Sequence, residues 1–158
     1  MTPVLMNHPV TCLGYRIDAD GDSVFFTGDH EPPYNIYSPG DDDYETFREA
    51  VRSRQEHLDR ALAGVNLLIT DSMYTDEEYP QHQGWGHGSI GQCLAWAARL
   101  RVDTLCLTHH DPCRHDDELD TFGEWLRETK DERPFEVVIA REGLQIEVSG
   151  SGGGCDGV

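Results

Sequence analysis

Apolar and polar positions alternate in short runs along this chain, and the period switches repeatedly between two and about 3.6. Residues 13–17 and 23–27 are apolar-rich and flank Ala19-Asp20-Gly21-Asp22, which predicts a β-hairpin turned by Asp-Gly. The second run stops at Gly28-Asp29-His30-Glu31-Pro32-Pro33, a loop with strong breakers that continues through residues 34–43. Residues 44–62 read as a helix with Phe47, Val51, Leu58 and Leu62 on one face and Gly64 as its stop. Residues 65–70 form a short apolar run ending at Asp71, which fits a buried strand. Residues 72–88 are polar and aromatic, a loop long enough to suggest a functional role. Ser89 caps a helix over 90–100 with Ile90, Leu94, Ala97 and Ala98 as its apolar set. A strand over 103–108, a loop rich in His and Asp, and a helix over 116–130 carrying Leu119, Phe122 and Leu126 follow. Residues 135–140 and 143–148 predict a final hairpin, and the glycine-rich segment 149–158 predicts a disordered tail.

The predicted order ββ, α, β, α, β, α, ββ implies a single layered α/β domain over residues 1–148, with no repeat and no second domain. In such sheets, ligands gather at the loops leaving the strand ends. The chain has 158 residues, enough for one domain with a real core.

Charge narrows the partners. Lys and Arg total 12 against 30 Asp and Glu, a formal net charge of -18. Nucleic-acid binders need the opposite balance to displace counterions from phosphate, so long RNA or DNA is not the expected substrate. A local metal centre would still attract one small phosphate ester. No apolar run approaches the roughly 18 residues of a membrane span, so no membrane partner is expected. The first residues have neither a basic segment nor a long apolar stretch, so no signal peptide is expected and the expected location is the cytoplasm. The five cysteines are odd in number and show no CxxC spacing, which predicts free thiols rather than a disulfide framework or zinc knuckle.

Three strand-end loops concentrate unusual residues: Asn7-His8-Pro9, Gly28-Asp29-His30 and Thr108-His109-His110-Asp111-Pro112. Imidazole and carboxylate at neighbouring strand ends are the donors that a zinc-like divalent ion takes in a hydrolytic site. Each also has an ordinary reading: His8 as a turn histidine, Asp29 as a turn residue after glycine. Spacing alone leaves both readings open. A fourth loop, Gly84-Trp85-Gly86-His87-Gly88-Ser89, delivers His87 just before a helix N-terminus, where anions are favoured and a histidine can donate a proton. Asp71 could orient His87, or simply cap its own strand.

Taken together, these stretches resemble the metallo-β-lactamase superfamily, in its phosphodiesterase-like and ribonuclease Z-like branch. His8-Pro9 with Gly14-Tyr15-Arg16-Ile17 resembles the stretch that supplies a metal-binding histidine. Phe26-Thr27-Gly28-Asp29 resembles the strand end whose aspartate bridges two metals, and Leu105-Cys106-Leu107-Thr108-His109 the last metal-binding histidine. Leu67-Leu68-Ile69-Thr70-Asp71 and Gly86-His87-Gly88-Ser89 look like the acid and histidine pair that protonates the leaving oxygen. The motifs stand in the family's order and span roughly residues 5–148. The stretches Asp71–Tyr79, Gly84–His87 and His109–Pro112 are similar to a bacterial group described as metal-dependent hydrolases akin to cyclic phosphodiesterases.

The resemblance implies an αββα sandwich with two ions, commonly zinc, sometimes manganese or iron. It implies hydrolysis of a small phosphodiester by a metal-bound hydroxide, with His8, Asp29 and His109 as ligands, His87 and Asp71 as the catalytic pair, and His110 and Asp111 behind them. The family's main metal motif, His-x-His-x-Asp-His, is absent from this sequence. The expectation is therefore a C-terminal half whose sheet bares one face, to be covered by the missing N-terminal half or by a second copy in a homodimer. The alternative is a degenerate module without catalysis of its own that oligomerises or binds a partner. RNA processing in the manner of ribonuclease Z is a weaker reading on this charge, and other β-lactamase-fold chemistries stay open.

Overall fold

The computed structural model describes residues 1–148. The predicted glycine-rich tail, 149–158, and Cys155 lie outside the described residues. The elements run β1 (Thr2–Leu5), β2 (Leu13–Ala19), β3 (Asp22–Phe26), α1 (Tyr44–Ala61), β4 (Leu67–Asp71), α2 (Tyr79–His82), α3 (Ile90–Leu100), β5 (Thr104–Thr108), α4 (Asp116–Glu128) and β6 (Glu136–Ile139).

The six strands form one sheet in sequence order, β1 to β6. β1, β2 and β3 are antiparallel neighbours, and β3, β4, β5 and β6 are parallel. The β2–β3 hairpin turns on Asp20 and Gly21, both at positive φ (55° and 93°), the geometry of a type I′ turn. Strand β1 was not apparent from the sequence. It is short and contains Pro3, which the sheet tolerates only at an edge, and an edge is where β1 lies.

Parallel neighbours in sequence order need crossovers, and right-handed crossovers that step in one direction lie on one side of the sheet. The core reflects this. Phe25, Leu68, Leu105 and Val137 pair across β3 to β6 and meet Leu58 and Leu62 from the α1 end, Trp96 and Ala97 from α3, and Leu126 from α4. The result is an α/β layered sheet with helices on one face, as expected. The opposite face carries the alternate residues. Leu5, Leu13, Ile17 and Phe26, from β1 to β3, are 41–52% exposed.

Several elements differ from their predicted form. In α1 only Leu58 is buried, with Leu62 just after the helix; Phe47 and Val51 instead line an open cleft of about 440 Å³ beside His8. The buried face of α3 is Cys93, Trp96 and Ala97, while Ala98 is exposed. Trp96 is tolerated there because its indole N–H reaches Asp59 on α1 at 2.8 Å. The long loop contains the single turn α2 and an isolated bridge between Tyr74 and Ser89. Residues 143–148 form no strand: the chain turns at Arg141–Leu144 and finds no ladder partner among the described residues. Cys12, Cys93, Cys106 and Cys113 are free thiols.

Candidate metal centre

Four of the candidate residues sit at one end of the same sheet because each follows or ends a strand, and the fifth, His87, reaches that end from the loop before α3. His8 lies in the β1–β2 connection, Asp29 three residues past β3, Asp71 at the last position of β4, His109 just past β5, and His87 just before the Ser89 cap of α3. The parallel register of β3, β4 and β5 brings three of these strand ends side by side. Ser89 forms a capping box with Gln92, which fixes the start of α3 and so one end of the His87 loop.

Asp29 stands between two imidazoles. Its Oδ2 is 3.8 Å from His8 Nε2, and its Oδ1 is 3.6 Å from His109 Nε2. These separations exceed a hydrogen bond and are close to the roughly 3.4 Å expected between two donors bound tetrahedrally to one ion at about 2.1 Å. His8 turns Nε2 toward Asp29 because its Nδ1 is engaged with the backbone of Val10, 2.9 Å from the carbonyl and 3.2 Å from the N–H. Such backbone contacts fix the orientation of a ligating imidazole. His109 has a φ of 58°, a left-handed conformation that a histidine rarely adopts and that places strain at the site.

Asp71 is 1% exposed and fully engaged. Its Oδ2 lies 2.6 Å from His87 Nδ1, accepts from the His30 N–H at 3.1 Å, and is 3.4 Å from His109 Nδ1. Its Oδ1 accepts from the Met73 N–H at 3.2 Å. Burial pushes the Asp71 carboxyl above its ordinary value, and the hydrogen bonds from His87 and His30 offset this only in part. With Nδ1 committed to Asp71, His87 keeps Nε2 for other partners. Its ring lies 4.8 Å from that of His109 and 5.6 Å from that of His8.

Asp29, Asp71, His87 and His109 each offer a ligand atom within 4.8 Å of one another, a donor set suited to a divalent cation. His8 stands just outside that group, with Nε2 toward Asp29 and its ring beside that of His87. Burial and hydrogen bonding divide the group. Asp71 is saturated with partners, whereas Asp29 is 43% exposed at its side chain and faces only imidazoles. The donors close enough to share an ion are Asp29, Asp71, His87 and His109; Asp71 and His87 form a coupled pair within that set, and His8 approaches Asp29 from outside it.

His110 and Asp111 do not join the cluster. Asp111 Oδ1 accepts from the Cys113 N–H at 2.7 Å and closes its own turn. His110 is half-buried, and burial keeps its pKa below the ordinary value. The backing of the site comes instead from His30 and Glu31, in the loop after β3. His30 is 2% exposed, packs with its ring tilted against Trp96 at 4.9 Å, and donates its backbone N–H to Asp71. Burial, with Arg54 nearby, holds its imidazole neutral, at a pKa of about 3. The only hint in the sequence was an unusual density of polar residues between Asp29 and Pro32.

A family model described as "Beta-lactamase superfamily domain" matches residues 1–110. The chain belongs to the beta-lactamase superfamily. Its fold is that of the superfamily's metallo-β-lactamase proteins. YhfI from Bacillus subtilis, a metallo-beta-lactamase fold protein, superposes with a TM-score of 0.60 at 22% identity, over 90% of this chain and 46% of that one. The short form of human tRNase Z gives 0.58 at 15% identity, over 93% of this chain and 42% of that one. A diphosphatase of the PhnP family gives 0.51 at 18% identity, over 93% and 42%. The chain thus spans less than half the length of these superfamily structures. No curated protein sequence matches it. Among the described residues, no helix is long and apolar enough to cross a membrane.

Proposed function

We propose that this chain carries part of the active site of a metal-dependent hydrolase acting on small phosphodiesters. The observation behind the reading is Asp29, with one carboxylate oxygen toward His8 and the other toward His109, beside the short Asp71–His87 contact. A divalent ion, zinc in the first instance with manganese or iron as alternatives, supplies Lewis acidity and an activated water when bound; two ions is the nominal number. Asp29, His8 and His109 hold the ion side of the site. His87 gives a proton to the leaving oxygen, and Asp71 keeps its ring in place and stabilises its charged form. The superfamily fold and neighbours named as a tRNase Z and a diphosphatase support phosphoester chemistry. The charge of -18 favours a small substrate over RNA. Three ligands are few for two ions. The remaining donors come from polypeptide seated on the bare sheet face, either the complementary half of the fold or a second copy.

The first experiment is elemental analysis of the purified chain together with hydrolysis of bis(p-nitrophenyl) phosphate on the same sample. Bound metal with turnover is the expected result. His87→Ala then lowers turnover of a poor-leaving-group diester by roughly 10²- to 10⁴-fold while metal content stays unchanged. Equal loss of metal and turnover would count against the assigned role. No metal and no turnover from the folded chain would favour a second reading, a non-catalytic module that oligomerises, for which the exposed Leu5, Leu13, Ile17 and Phe26 speak.

A further inference from the structure

Glu31 is a carboxylate at 2% exposure whose three hydrogen-bond donors are all uncharged. Its Oε1 accepts from the Tyr79 hydroxyl at 2.8 Å and the Gly84 N–H at 2.8 Å, and its Oε2 accepts from the Gly86 N–H at 2.9 Å. An ionised acceptor makes stronger bonds than a neutral one, and burial removes the competition of water. The backbone of Glu31 is fixed separately. Its N–H donates to the Asn7 carbonyl at 2.9 Å, and its own carbonyl accepts from the Asn7 amide at 2.9 Å. The main chain is thus anchored to the His8 loop whatever the side chain does, and only the side chain holds the loop that leads into His87.

That loop needs holding. Its far end is secured by the Ser89 cap and by backbone bonds between Tyr74 and both Gly88 and Ile90. Its near end has no comparable ladder; besides the turn bond from the Trp85 N–H to the His82 carbonyl and the ring contacts of His82 with Tyr74 and Trp85, Glu31 binds it. Trp85, between the two gripped amides, is 63% exposed and contributes no buried anchor. Gly86 has a φ of 101°, and a Cβ there would collide with the His8 ring, so its backbone rests directly on that imidazole. Burial first, with Glu31 adding to it, raises the Tyr79 hydroxyl to about 12, so it stays a donor.

We infer that Glu31 is a positioning residue: its buried carboxylate clamps the Gly84 and Gly86 amides and thereby seats His87 on Asp71. Its catalytic meaning rests on the reading of His87 as proton donor. A purely structural role would disturb the whole fold or the ion side of the site, whereas a clamp acts on one loop.

The test uses the ¹⁵N-labelled chain with Glu31→Gln and Tyr79→Phe, followed by NMR and zinc titration. Glu31→Gln keeps the volume but turns one acceptor into a donor facing donors. Gly86 amide exchange is expected to accelerate by at least about tenfold, as local opening is no longer suppressed. The His87 ring nitrogen shifts move most and those of His8, on which Gly86 rests, less, while the His109 shifts stay in place and the zinc affinity holds within about threefold. On hydrolysis, an alkyl diester loses at least about tenfold in rate and a p-nitrophenyl diester much less, because a good leaving group needs little proton donation. Unchanged Gly86 exchange and His87 shifts in a folded Glu31→Gln chain would overturn the clamp, as would equal disturbance of His8, His109 and zinc binding. If that variant fails to fold, Tyr79→Phe decides: a smaller shift of the His87 signals in the same direction supports the clamp, and none overturns it. A wild-type chain that hydrolyses neither ester rules out completion of the site by a second copy, and the NMR arms still decide the clamp.

Discussion

Phe25 and Phe26 are neighbours in sequence with opposite environments. Phe25 is fully buried beneath the helices, and Phe26, on the other face of the same strand, is 44% exposed. Along Phe25, Leu68 and Leu105 one face of the sheet is a closed core; Leu13, Ile17 and Phe26 make the other face an open apolar surface. One sheet therefore serves two ends. The covered face contributes stability, and the open face leaves apolar side chains half in water.

The contrast is sharpest in the paired substitutions. Phe25→Ala should cost about 3–5 kcal/mol by urea unfolding, the usual range for emptying a core aromatic site. Phe26→Ala should cost about 1 kcal/mol or less in the monomer, because nearly half of the ring is already in water. Equal losses would mean that the open face is covered in solution. Asp59→Ala tests the covering layer. It removes the acceptor shared by Trp96, Arg99 and Gln55 across α1 and α3, and leaving the buried indole N–H unpaired should cost about 1–3 kcal/mol. The open face responds differently: Phe26→Asp should leave the monomer's urea midpoint nearly unchanged but abolish any self-association seen by sedimentation. Loss of stability without change in association would break the comparison.

The smallest effect is on pH. Burial works to raise the Asp59 carboxyl, but the bonds from Arg99, Gln55 and Trp96 outweigh it and hold the pKa below the ordinary 3.8. The unfolded chain therefore takes up this proton at higher pH than the folded one does. The Asp59 contribution is complete above about pH 3.8 and fades as pH falls through the folded value. Asp59→Asn should flatten the acid limb of the stability curve in that window, measured as urea midpoints from pH 5 to pH 2.5.

Much of this architecture was legible. The Asp-Gly hairpin, the helix before Gly64, the Ser89 cap and the apolar strand ending at Asp71 each follow from local chemistry, and the structure has them within a few residues. What failed was not local. β1 is a strand only because β2 offers it an edge, and 143–148 is not one because no partner is presented. At the candidate site, the loops bearing His8, Asp29, Asp71, His87 and His109 stood out as polar residues at strand ends. Glu31 did not, since one acid between a histidine and two prolines carries no period and no motif. Its meaning lies in amides more than 50 residues further along the chain.

The sequence by itself determined the alternation that gives each strand two faces, the breakers that end the strands, and the donors waiting at those ends. It could not determine which face would be covered, because Phe25 and Phe26 are the same residue type. The tertiary structure decided that through crossovers of one hand, which place all the packing helices on one side. It also decided the distances at the site. Oxygen and nitrogen atoms on strand ends far apart in sequence come within 4 Å only when a parallel register sets those ends side by side.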